Sequence, residues 1–80
     1  MSVFVEVVIT HKSNQTIEEL KELAFKSQCV SQEVLEMEQQ INFETVFADD
    51  SKAIDFQDAL TGVNAYSEGN VCLGLVERKE

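Results

Sequence analysis

Eighty residues with fifteen acidic and six basic side chains carry a formal net charge of −9, on a chain long enough for one domain with one modest hydrophobic core. A field of that sign repels DNA, RNA and anionic membrane, which argues against direct nucleic-acid binding. The hydrophobic 44% falls in blocks, unlike the composition of disordered acidic chains, so residues 1–80 are expected to fold as a single α+β domain.

The segment Val3-Phe4-Val5-Glu6-Val7-Val8-Ile9-Thr10 reads as a strand. β-Branched residues dominate it, with Val3, Val5, Val7 and Ile9 on one side and Phe4 and Val8 on the other. Two largely apolar faces place it in the interior of a sheet. The N-terminus has neither the basic start nor the cleavage site of a signal peptide, and no stretch approaches the ~20 apolar residues of a membrane span. The expected compartment is the cytoplasm.

His11 to Gln15 is a polar connection, after which Thr16 and Glu19 have the spacing of a capping box. A helix is predicted from Ile17 to Gln28, with Ile17, Leu20, Leu23 and Ala24 as its apolar stripe and Phe25 off it. Glu22 and Lys26 are spaced as an ion pair one turn apart. The two cysteines, Cys29 and Cys72, are too few for a disulfide scaffold and read as small core or half-buried hydrophobes, a disulfide between them being the lesser alternative.

From Ser31 to Phe47 two periodicities compete. Period two sets Leu35, Met37, Gln39, Ile41, Phe43, Thr45 and Phe47 against Glu36, Glu38, Gln40, Asn42 and Glu44, as one long strand or two with a bend near Gln39-Gln40. Helical spacing instead joins Val34, Met37 and Ile41. The length of the alternation favours strand. Asp49-Asp50-Ser51 then supplies a cap, with Asp50 as the capping residue, for a helix from Lys52 to Thr61 that puts Ala53, Phe56, Ala59 and Leu60 on one face. Gly62 is the predicted left-handed stop. Gly69-Asn70 is the predicted turn of a hairpin between Val63–Tyr66 and Val71–Val76. In the last strand Val71, Leu73 and Leu75 would face one way and Cys72, Gly74 and Val76 the other. These elements suggest a single-layer sheet of three to five strands, antiparallel or mixed, with two helices on one face; a ferredoxin-like sandwich is favoured.

Few residues have the spacing of catalysis. His11 is the only histidine, and it has no partner at i+3 or i+4 with which to hold a metal. No glycine opens a helix after a strand to cradle phosphate. Asp49, Asp50, Asp55 and Asp58 lack the alternating ligands, central glycine and closing glutamate of a calcium loop. No cofactor, metal or enzymatic activity is therefore expected.

The acidic residues are unevenly spread: Glu33, Glu36, Glu38, Glu44, Asp49, Asp50, Asp55 and Asp58 face Lys52 alone between Val30 and Leu60. If they cluster outward they form a partner-binding surface complementary to a basic protein, such as the nucleic-acid-binding face of a protein or complex. In size and charge the chain resembles the general type of small acidic inhibitors carried by phages and mobile elements, including blockers of restriction or CRISPR complexes. That resemblance implies an anti-defence inhibitor and carries over no residues. The duller reading is that these acids only solubilise the domain. A further alternative is a homodimeric regulatory or small-ligand domain, in which a second copy, through the uncovered sheet face or an edge, buries apolar surface that two short helices leave open.

Overall fold

Alternation in β1 (Ser2–Ile9) sends Val3, Val5, Val7 and Ile9 into the core, each at most 1% exposed, while Phe4, Glu6 and Val8 on the other side are only half-buried. The computed structural model describes residues 2–79. Its order is β1, α1 (Asn14–Lys26), β2 (Ser31–Glu36), β3 (Ile41–Phe47), α2 (Asp50–Leu60), α3 (Asn64–Ser67) and β4 (Val71–Lys79). The strands form one sheet in the order β2-β3-β1-β4, antiparallel at every pairing. This is the expected α+β architecture, and its order is compatible with a ferredoxin-like sandwich. No helix among the described residues is long and apolar enough to cross a membrane.

The helices cover one face of the sheet. Ile17, Leu20 and Ala24 of α1 and Ala53, Phe56 and Leu60 of α2 are buried in one cluster with the inward residues of β1 and with Ile41, Phe43 and Phe47 of β3. The Phe56 ring lies 5.3 Å from Phe47 and 6.5 Å from Phe43, both tilted, a favourable aromatic arrangement. Thr45, the polar member of the inward row of β3, is satisfied by donating from Oγ1 to the Val5 carbonyl at 3.0 Å.

Several local expectations need correction. α1 starts one turn earlier than the apolar stripe suggests, because Ser13 caps it by accepting from the Thr16 N–H. Asn14 and Gln15 fill a first turn that hydrophobic spacing cannot reveal. At its other end Gln28 adopts φ 63° and Cys29 N–H reaches the Ala24 carbonyl, a Schellman closure made without glycine. α2 is capped by Asp49, which accepts from the Lys52 N–H at 3.0 Å, and not by Asp50. Gly62 is not left-handed; Gly69, at φ 80°, is.

The largest differences concern the strands. Residues 31–47 form two strands joined by a turn at 37–40, with Glu36 opposite Ile41. An even position thereby pairs with an odd one, so β2 presents Glu36 on the side of Ile41 and Phe43 and Leu35 on the opposite side. A single alternation carried through the turn puts them the other way round, since a shift of one residue exchanges the faces of a strand. Val63–Tyr66 is no strand either: Asn64–Ser67 is the short helix α3, buried through Ala65 and closed by Gly69 and Asn70. In β4, Gly74 and Leu75 together stand opposite Glu6, a bulge that turns Val76, with Leu73, to the helix side.

Candidate functional site

The face of the sheet opposite the helices is open, and the registers define its rows. One row runs Glu77, Phe4, Val46, Ser31; the next Glu6, Glu44, Glu33; the third Cys72, Val8, Asn42, Leu35. Cross-strand neighbours have Cβ atoms about 4.5–5.5 Å apart, so the middle row holds three carboxylates side by side across β1, β3 and β2. Apolar side chains border it on both sides. Phe4, Val8, Val46 and Leu35 are half-buried by their neighbours on the face.

Among the described residues no lysine or arginine pairs with any carboxylate of that row. Lys79 lies at the border, 6.0 Å from the Phe4 ring centre and 3.6 Å from Glu77. Glu6 accepts instead from the Asn42 amide at 3.5 Å, and Asn42 accepts from Gln40 at 2.9 Å. This chain of neutral amides orients one carboxylate without neutralising it. Gly74 makes room for it, since a Cβ there would stand 2.6 Å from a Glu6 oxygen.

The eight acidic residues singled out from the sequence do not form one surface. Glu33 and Glu44 come together on the open face. Glu36 lies at the end of β2 on the helix side and is paired with Lys12 at 2.8 Å, which holds its carboxyl below the usual glutamate range through a hydrogen bond and the lysine charge. Glu38 sits in the turn at 37–40. Asp49 is occupied as a cap, its carboxyl lowered first by the Lys52 backbone N–H, and it also meets the Lys52 ammonium at 3.6 Å. Asp50 is taken by Arg78 at 2.7 Å. Asp55 and Asp58 are exposed on α2, in the helix layer away from the open face. Sequence reasoning missed Glu6, the third member of the row. Its signal is a lone acid in an otherwise apolar strand.

The remaining candidates are separate from this face. His11 is exposed at the rim of a polar groove of about 280 Å³ shared with Ser13, Glu19, Asn64 and Glu68. Both cysteines are free; Cys29 packs against the core as expected, whereas Cys72 is not buried but exposed, because its register opposite Val8 turns it to the open face. No group of three or more His, Cys, Asp or Glu among the described residues is placed to hold a metal ion.

Comparison with known proteins informs the fold alone. No protein-family model matches the chain, and no curated protein matches it. Among solved structures, the chain is similar to one described as "Structural Genomics, protein YJCS", with a TM-score of 0.62 at 9% identity over 100% of this chain and 98% of that one. At that identity the likeness supports a shared fold and assigns no activity.

Proposed function

We propose that this protein is a small acidic protein-binding module that inhibits a partner by occupying its basic, nucleic-acid-binding surface, as phage or mobile-element anti-defence proteins do. The reading rests on one observation: Glu6, Glu44 and Glu33 stand in register on an uncovered sheet face with no cation of the described chain paired to them. Like charges directly opposite one another destabilise a sheet. A local arrangement that works against the fold is characteristic of a functional surface. A basic partner would relieve the repulsion and gain from complementary potential on association. Of the residues expected from the sequence, this narrows the working set to Glu33 and Glu44 and adds Glu6.

Affinity capture from the native host at low and high salt tests the proposal. The native protein should retain a nucleic-acid-handling protein at low salt and release it at high salt. The E6Q/E33Q/E44Q variant should fail to retain it, whereas D55N/D58N should behave as the native chain. Capture by the triple variant equal to native would refute the reading.

A second reading, a homodimeric regulatory or small-ligand-binding domain, draws support from Leu73, Leu75 and Val76 of β4, which are 39%, 49% and 39% exposed. A symmetric contact through the open face would set carboxylate rows against each other. Under this reading the interface is therefore the β4 edge. Light scattering separates the two: a concentration-independent dimer supports the second reading and a monomer the first.

A further inference from the structure

The rows of the open face limit what can cover it, and this inference rests on the proposed function, whose site it shares. We infer that the partner element seated on this face is an amphipathic α-helix lying along β1 and β3, with lysine or arginine in its central turn and apolar side chains one turn to either side. Along β1 the open face reads Phe4, Glu6, Val8, and along β3 it reads Val46, Glu44, Asn42. Travelling with the strands, a ligand therefore meets apolar surface, paired carboxylates, then apolar surface bordered by one amide. Same-side residues of a strand are about 6.5–7 Å apart and turns of a helix about 5.4 Å apart, so the distance from Phe4 to Val8 corresponds to roughly two and a half helical turns.

An extended segment has no means of adding to this face, because sheet hydrogen bonds are made at edges, in the plane of the strands. A single helix satisfies its own backbone groups and can cover a sheet face without further strands, as helices α1 and α2 do on the opposite face of this sheet, whereas a second sheet would need several strands. An apolar helix would bury the Glu6–Glu44 pair without a counter-charge, which is strongly unfavourable. A purely basic segment would leave Phe4, Val8 and Val46 as wet as before. A helix that alternates apolar and basic turns on one side satisfies both.

Three synthetic peptides test this against the full chain. The first is an Ala-rich helix of about 18 residues with leucines at i and i+7 and lysines at i+3 and i+4. The second carries a central proline that breaks the helix, and the third replaces both leucines by serine. Binding is followed by NMR shift changes. The helical peptide should perturb Phe4, Glu6, Val8, Glu44 and Val46, and each altered peptide should bind at least about tenfold more weakly, a difference of about 1.4 kcal/mol. E6Q/E44Q should weaken the first peptide by a similar factor. Equal affinity of the proline peptide would overturn the helical occupant while leaving an acidic docking surface in place. Failure of the helical peptide to bind, with partner capture by the native protein intact, would overturn it in the same way. Shift changes confined to α1 or α2 would overturn both this inference and the choice of face.

Discussion

The same strands build two unlike surfaces. On the helix side, Val3 stands opposite Phe47, Val7 opposite Phe43 and Ile9 opposite Ile41, so that these cross-strand neighbours add to one apolar cluster, with the satisfied hydroxyl of Thr45 opposite Val5 as the polar exception. On the open side, one residue along, Glu6 stands opposite Glu44 and Glu44 opposite Glu33. The first surface explains why the chain folds. The second opposes folding at its centre, which makes it the better place to look for what the protein meets.

The comparison breaks most sharply in the core. Phe56→Ala should lower stability by ~3–5 kcal/mol, because it removes the ring packed against Phe43 and Phe47. Denaturant unfolding measures it, and a native-like midpoint would mean that the helix layer is not held as described. On the open face the sign reverses. E6Q/E33Q/E44Q should raise stability by a few tenths to about 1 kcal/mol, since it removes like charges from opposing positions. A loss in the same assay would show that the row stabilises the sheet and would weaken its functional reading.

Acidic residues outside that row should behave as ordinary structural groups. Asp49→Ala should lower the melting temperature modestly through loss of the α2 cap, while partner capture persists. The smallest effect concerns Glu36. Lys12 lowers its folded pKa, so the unfolded chain binds protons more readily at that residue as acid is added. The contribution is complete above the usual glutamate range and is lost as pH falls through the lowered folded value. Lys12→Gln should flatten that part of the pH–stability curve, as followed by thermal melts; an unchanged slope would mean that the pair contributes nothing.

How much of this was legible in the sequence depended on whether the pattern was local. The inward residues of β1, the stripe of α1 and the α2 residues Ala53, Phe56 and Leu60 are set by period two or by helical spacing and lie where those periods put them. The facing of β2 was not legible, because it depends on the number of residues in a turn, 37–40, that contains neither glycine nor proline. α3 was hidden because four residues are too few to show a period, and Gly69-Asn70 resembles a hairpin turn while in fact closing that helix. Charge density alone joined Glu33 and Glu44 to six acids that the fold places elsewhere. Only long-range register brings Glu6 beside them.

The bulge at Gly74 and Leu75 bears on colloidal behaviour. β4 is a long outer strand with apolar residues in its middle, the type of border that invites open-ended addition of further chains into fibrils. The extra residue breaks the regular hydrogen-bond ladder half-way along and increases the local twist, so an incoming strand cannot stay in step over the full length. Deleting Leu75 would straighten that border, and the shortened chain is expected to gain thioflavin fluorescence on quiescent storage under conditions where the native chain gains none.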